Sequence, residues 1–487
     1  MHTFLVIRYN KYMKKISLFP VFIILFSFTL LAQDFSYDKK VGAEGALQVE
    51  QMIGIYPDSA LTAYVGSIGE RLVDVLGDPP VDFQFKVVDM AEPNAFALPG
   101  GYIYISRGLL SLVNDEAELD CVMGHEMIHV TKRHSVKQMN KSILPGILHI
   151  PGAVVGLFNQ DLGRVINAPI SFGSELFLSN YSRKQETESD KLGIKLASKA
   201  GYDPAKLAVI LDNLSKDVEL LTGEEEKMSY FSSHPITPKR VKNIEKEIPN
   251  LEWTSKPSIA NDKQALYNKL EGMPVGQNPQ QGVFQDNVFK HADLDLAIKF
   301  PKKWNTMNVP VAVGAVQPDG EAQIIFMADD SDAPVDSLGM DLANMLQKKY
   351  DIKPTKNQTI EINGFNGYEV AFQDNSGSEP VVYQIYWIQT ELIMFNVMGV
   401  SYPNHTESIA GIVNSMRKLS DAEKAKISGL KVRVAKLKYD ETIEEFNIRT
   451  KNAWNIETTL LMNDIDPSKI LKDGKILKIA VKEAYIK

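Results

Sequence analysis

The chain has one cysteine in 487 residues, Cys121, so no internal disulfide is available and its stability rests on packed cores. Histidine is scarce as well, at 8 residues, which makes any clustering of histidines informative. Past residue 32 there is no unbroken apolar run that would cross a bilayer as a helix, and no period that would build a solenoid. A positive charge balance is also absent. The net charge is −8; residues 1–32 hold Arg8, Lys11, Lys14 and Lys15 and no acid, so without them it becomes −12. That balance argues against a nucleic-acid partner. What remains, 44% hydrophobic and 23% charged, reads as ordinary globular domains with real cores.

The N-terminus stands apart. Lys14 and Lys15 precede the apolar run Ile16 to Leu31, which closes at Leu30-Leu31-Ala32-Gln33. A positive flank, an apolar stretch and a small residue at the cut read as a secretory signal over residues 1–32. Met13 offers a second start, with residues 1–12 as an upstream extension. An uncleaved membrane anchor is the alternative. No cysteine follows the apolar run, which excludes a lipoprotein cut. The expected location is periplasmic or secreted.

The most informative run is Cys121-Val-Met-Gly-His-Glu-Met-Ile-His-Val130. Residues four apart share a helix face, so His125 and His129 converge on one point. Two neutral imidazoles with a carboxylate between them match a catalytic zinc site, Glu126 activating a bound water. Asp115 and Glu118 are placed as a capping box for the carrying helix, expected over residues 115–137. Cys121, one turn before His125, reads as a small buried residue. A catalytic zinc needs a third protein ligand. Glu186 is the best candidate, in Tyr181-Ser-Arg-Lys-Gln-Glu-Thr-Glu-Ser-Asp190. Asp190 lies on the same helix face, placed to hold a ligand histidine by its second ring nitrogen. Spacing alone fits a solvated acidic face equally well.

Upstream, two alternating strands over 83–106 flank Glu92-Pro-Asn-Ala-Phe-Ala-Leu-Pro-Gly100. Asn94, Ala95, Phe96 and Ala97 are expected to line an extended substrate as an added strand. Residues 35–79 read as helical, with further helices near 172–199, 204–221 and 238–248. Residues 142–158 are apolar but broken by Pro145, Gly146, Pro151 and Gly152. They read as a packed connector or as a cover that touches membrane. Pro, Gly, Gln and Asn over 255–285 indicate a linker. An α+β layer structure is expected over 286–419, with strands near 293–300, 312–328, 366–374 and 381–400 and helices near 336–350 and 404–418.

Several separate motifs then agree in order: His125-Glu-x-x-His129 with Arg133-His134, Ser182-Arg183-x-x-Glu186-x-Glu188-x-Asp190, Ala200-Gly-Tyr-Asp-Pro204, and upstream Asn94-Ala-Phe-Ala-Leu-Pro-Gly-Gly-Tyr-Ile-Tyr104 with Arg107-Gly-Leu-Leu110. Together they resemble the zinc metallopeptidase family of HtpX, BepA and the CaaX prenyl endopeptidases. The resemblance spans about residues 40–250, and its exported BepA-like branch fits best. It implies Glu186 as third ligand and Asp190 behind the ligands. Ser189 stands where the family usually has alanine. Ser233-His-Pro-Ile-Thr-Pro-Lys-Arg240 resembles that branch's His-Pro…Arg segment, which implies His234 near the metal, either as a fourth ligand at rest or as an oxyanion stabiliser. The other histidines, His134 among them, carry no pattern that assigns them chemistry. Residues 429–481 resemble a degenerate LysM tail, with Asp440-Glu-Thr-Ile443 in place of the usual Gly-Asp-Thr-Leu, and residues 286–419 resemble PsbP-type domains.

The expected fold class is therefore α+β. A mainly helical zincin (gluzincin) peptidase domain with a small β-sheet occupies 33–254, followed by the linker 255–285, the α+β accessory domain 286–419 and a short LysM-like βααβ tail over 420–487. The expected function is an exported endopeptidase with one Zn2+ per chain, hydrolysing misfolded or misassembled envelope proteins. Its partners would be polypeptides, with outer-membrane assembly machinery or peptidoglycan beside them. The alternatives are a non-hydrolytic assembly factor or chaperone, and a cell-wall-binding adaptor acting through the tail.

Overall fold

The computed structural model describes residues 35–137, 181–221, 230, 234–235, 237–375, 377, 379–468 and 473–486. The signal segment 1–32 and the apolar stretch 142–158 lie outside the described residues. Among those described, no helix is long and apolar enough to cross a membrane.

The stretch expected to be helical over 35–79 forms two helices, α1 (Ser36–Met52) and α2 (Ser59–Leu76). Asp58 caps α2 by accepting from the Leu61 amide at 2.9 Å. Leu61, Tyr64, Val65, Ile68 and Leu72 recur at helical spacing and are buried in the main core. Strands β1 (Gln84–Val88), β2 (Ala95–Leu98) and β3 (Tyr102–Ser106) form a sheet in the order β1-β3-β2, with β1 parallel and β2 antiparallel to β3. The turn between β2 and β3 needs its glycines. Gly101 has φ 104°, and a Cβ there would stand 2.4 Å from the Asp82 carbonyl oxygen.

After the short α3 (Arg107–Leu112), helix α4 (Glu116–Thr131) is buried from Glu116 to Val130 and runs through the core. Its cap differs from the expected box. Asp115 accepts from the Ala117 amide at 3.0 Å, while Glu118 turns back to accept from the Asn114 amide at 2.7 Å. The helix also ends earlier than expected, with Arg133 at φ 56° just past its last turn.

Helix α5 (Arg183–Ala200) opens on a reciprocal capping box between Ser182 and Gln185 and crosses α4 at close range. A Cβ on Gly193 would stand 2.9 Å from the His125 nitrogen, and one on Gly124 3.2 Å from the Gly193 oxygen. Glycine at both positions lets the two backbones touch. Helices α6 (Lys206–Leu221) and α7 (Pro238–Glu247) follow.

Residues 255–285 depart from the linker expectation. They hold helix α8 (Lys263–Leu270), capped by Asp262, and strand β4 (Pro274–Val275). Leu266, Tyr267, Leu270 and Met273 are buried in the same core as α2 and α4. Glu116, at the head of α4, accepts from the hydroxyls of Tyr64 and Tyr202 and from the amides of Ile259 and Ala260. The two amide bonds stitch the segment to the site-bearing helix, and the two hydroxyl bonds tie that helix to α2 and to the loop after α5.

The region 286–419 is built on a seven-stranded antiparallel sheet in the order Lys356–Ile362, Phe365–Asp374, Val381–Gln389, Met394–Ser401, Ala322–Asp329, Ala312–Val316 and Asn305–Val309. Helix Val335–Tyr350 packs one face through Ala343 and Leu346, and helix Thr406–Asn414 packs the other through Ile409, Ile412 and Val413. Beyond it, strands Ser428–Lys436 and Ile476–Ala484 pair around helices Ile443–Thr450 and Ile456–Met462, the βααβ element order.

That terminal unit is not detached. Ser428–Lys436 also pairs with β4, and Val432, Trp454, Leu461, Met462 and Ala480 enter the main core. Lys478 is wholly buried, its Nζ donating to the carbonyls of Ser111 at 2.7 Å and Val113 at 2.6 Å. A buried ammonium is tolerable when it is hydrogen-bonded in this way. Burial nonetheless pushes its pKa well down. Removing residues 425–487 is therefore expected to expose core surface and lower the melting temperature of the remaining chain. Equal melting of the full and shortened proteins would contradict this packing.

Candidate metal centre

Helix α4 sets His125 and His129 one turn apart, with their Nε2 atoms 3.0 Å from each other. Because α5 touches α4 at Gly193, the preceding turns of α5 bring Glu186 and Asp190 to the same place. Glu186 Oε1 lies 3.4 Å from His129 Nε2, and Oε2 lies 3.7 Å from His125 Nε2. The segment ahead of α7 supplies His234, whose Nδ1 is 3.3 Å from His125 Nε2 and 3.1 Å from Glu186 Oε1. One donor atom from each of His125, His129, Glu186 and His234 falls within 4.8 Å of the others, and all four residues are buried. Asp190 stands behind them, its Oδ1 3.0 Å from His125 Nδ1.

The donor set suits zinc: imidazole nitrogens and one carboxylate oxygen, converging from three segments. A further observation supports the fit. Both oxygens of Glu126 are buried without a hydrogen-bond partner among the described residues, and His234 Nε2 is 3.4 Å from Oε1. A buried carboxylate without a partner is costly, and water held at a neighbouring ion would satisfy it.

The surroundings favour a neutral His129 and an ionised Glu186. Burial, with His125 and His234 adding to it, holds His129 well below the ordinary imidazole pKa. Burial alone would raise Glu186, but His234, His125 and Arg240 outweigh it and hold its carboxyl below the ordinary value. Asp190 shows the same contest, ending at about 2 because His125 and Arg240 flank it. Glu126 has less compensation, and burial pushes its carboxyl up to about 8.

Three groups beyond the expected set take part. Arg240 meets Asp190 with Nε and Nη2, at 2.9 and 2.7 Å, and places Nη1 2.6 Å from Glu186 Oε2. It also donates to the carbonyls of His234 and Pro235. One side chain thus ties α5 to the His234 segment. His134, to which the sequence assigned no chemistry, places Nδ1 3.1 Å from His129 Nδ1. Burial pushes its pKa down to about 4, against the pull of Glu188. A second-nitrogen partner orients a ligand imidazole. Tyr230 stacks on His234 at 4.4 Å between ring centroids. The signal for Arg240 and His134 was their place in the quoted motifs; nothing in spacing alone gave them a partner.

The expected substrate strand needs qualification. β2 pairs with β3 at the edge of the three-stranded sheet, but Asn94, Ala95, Phe96, Ala97 and Leu98 are all buried, with exposures of 0–6%. An added strand would first have to uncover it. Cys121 is buried, with Sγ 3.6 Å from the Asp203 carbonyl, and burial raises its thiol well above the ordinary value, so it is an inert core residue. A cavity of about 300 Å³ lined by Asn114, Glu118, Lys206 and Asp464 shares no residue with the metal group.

Two helix-borne imidazoles, a carboxylate from a second helix and a free buried glutamate between the imidazoles define a zinc metallopeptidase type of site. Residues 59–248 match the model of Peptidase family M48, whose peptidases are zinc-dependent. The mitochondrial metalloendopeptidase OMA1 of Schizosaccharomyces pombe is 30% identical over 190 residues, 39% of this chain and 53% of that protein. The beta-barrel assembly-enhancing protease of Escherichia coli (strain K12) is 27% identical over 204 residues, 40% and 41% of the two chains. The chain thus spans about half or less of the length of these relatives. The solved cyanobacterial PsbP of Synechocystis covers 30% of this chain and 99% of its own at a TM-score of 0.23 and 9% identity, too low a likeness to assign a fold.

Because Gly193 fixes how far α5 stands from the histidines, Gly193→Ala is expected to cost about 1–3 kcal/mol of stability and to lower zinc occupancy. Thermal melting and metal analysis check both. A variant with unchanged zinc content would show that the close crossing does not position the ligands.

Proposed function

We propose that the chain is a zinc-dependent endopeptidase that hydrolyses peptide bonds in misfolded or misassembled proteins of the cell envelope. The observation that carries the hydrolytic part is the buried, unpartnered Glu126 carboxylate beside four convergent metal donors. The likeness to a relative named as a beta-barrel assembly-enhancing protease, together with the signal pattern of residues 1–32, supports the envelope part and an outer-membrane assembly partner. A non-hydrolytic holding factor has no use for such a carboxylate. A peptidoglycan adaptor gains no support from a tail whose Trp454, Leu461 and Met462 are spent on the core.

In this reading His125, His129 and Glu186 are the ligands, with Asp190 and His134 orienting the two imidazoles. Bound zinc would supply a polarising charge for the scissile carbonyl and a water of lowered pKa. Glu126 would accept the proton of the attacking water on a carboxylate oxygen and return it to the departing amine. A carboxyl raised by burial, which the positive charge of bound zinc would draw back down, would be suited to both steps. Arg240 keeps Glu186 ionised and in place. His234 is proposed to fill the fourth position at rest. His234→Ala separates this role from oxyanion stabilisation: faster casein digestion marks a blocking ligand, slower digestion a group that assists.

Glu126→Gln is expected to retain zinc and lose casein digestion by about 100-fold or more, as removal of a general base does. Glu186→Ala is expected to lose most of the metal. A Glu126→Gln protein that still digests casein in a chelator-sensitive way would contradict the assignment. Protons compete with metal for the imidazole nitrogens. His129 is held neutral at ordinary pH, so zinc stays bound near pH 7.5 and is released only below the usual histidine range. Equal zinc occupancy at about pH 4 and about pH 7.5 would contradict that order.

A further inference from the structure

Beside the metal group lies a second cavity, of about 210 Å³, between the start of α5 and the start of α7. Tyr181, Glu186, Pro235 and Arg240 line it on the metal side, and Arg183 and Lys239 line it from the two helices. Glu186 and Arg240 are already committed to each other. Arg183 and Lys239 are exposed, and neither has an acidic partner among the described residues. Both sit in the first turn of their helices, Arg183 at the first position of α5 and Lys239 at the second of α7. Cations are disfavoured there, because the helix N-terminus is itself positive. The only acid in the first turn of α5, Glu186, faces the metal group. Two unpaired cations thus crowd the rim of a cavity in a chain whose net charge is −8.

We propose that this cavity is a substrate subsite that takes an acidic side chain, Asp or Glu, of the bound polypeptide close to the scissile bond. The inference rests on the peptidase reading above and names a substrate class for it. The Tyr181 ring, Pro235 and the aliphatic stems of the two basic residues would hold the methylenes of the acid, and the guanidinium and ammonium would meet its carboxylate.

The test uses the full-length, zinc-loaded Glu126→Gln protein, which binds without turnover. Labelled unstructured peptides carry a single Glu at successive positions, each with an isosteric Gln copy. Fluorescence anisotropy is expected to show the Glu peptide binding about five-fold tighter at one position, an advantage that shrinks with added salt. Adding Arg183→Glu and Lys239→Glu is expected to abolish or reverse it. Acids in these first turns are favoured, so folding should survive, and a melting curve verifies this. Equal affinities at every position, no binding of either peptide, or an advantage unchanged in the charge-reversed protein would each overturn the subsite. Casein digestion by the unsubstituted protein is read separately. Digestion with equal peptide affinities sinks the subsite alone, whereas acid-selective binding without digestion sinks the peptidase reading alone.

Discussion

Helix α4 reaches Glu186 because nothing but hydrogen stands on the backbone where it meets α5. Gly193 lies against the His125 nitrogen, and Gly124 lies against the Gly193 oxygen. Any side chain at Gly193 would move α5 outward and carry Asp190 and Glu186, nearly one and two turns back along it, away from the imidazoles. The histidine spacing supplies two donors on one face. The glycine contact turns them into part of a three-segment group.

Such a group is expensive to bury. Glu126, Glu186, Asp190, Arg240 and three histidines are almost wholly removed from solvent. The polar contacts offset much of that cost: Arg240 lies between the two α5 carboxylates, and His125 and His129 each have a polar neighbour at Nδ1. Glu126 is the exception, held up to about 8 with no hydrogen-bond partner among the described residues. Structures retain a strained group of this kind where chemistry uses it.

How much of this was legible in the chain depends on the range of the interactions. His125, Glu126 and His129 are fixed relative to one another by helical periodicity alone, so spacing identifies them. Glu186 and Asp190 share a helix face by the same logic, but that the face meets α4 is set by Gly193, a residue without a side chain to announce it. Arg240 acts through contacts between distant segments, and His134 reaches His129 only because the chain turns at Arg133 just past α4; helical spacing encodes neither. The linker reading of 255–285 followed composition. Its glycines do occupy turns, at φ 87° for Gly272 and 70° for Gly276, but the apolar Leu266, Tyr267 and Leu270 just ahead of them pack. Strand Lys356–Ile362 escaped notice for a related reason: at the edge of its sheet it is mostly exposed and polar, with no alternation to read.

The peptidase region and the last segment of the chain form one packed body, since Val432, Trp454 and Ala480 share a core with α2 and α4 and Lys478 ties down the end of α3. The helix that carries His125 and His129 is thereby braced at its head by residues more than three hundred positions away. What the account asserts about the ion itself is most directly read by X-ray absorption at the zinc edge of the purified, metallated protein. The predicted result is one zinc per chain surrounded by nitrogen and oxygen only, at about 2.0–2.2 Å, with the signature of imidazole. A sulfur neighbour at about 2.3 Å, or protein that holds no stoichiometric zinc, would contradict it.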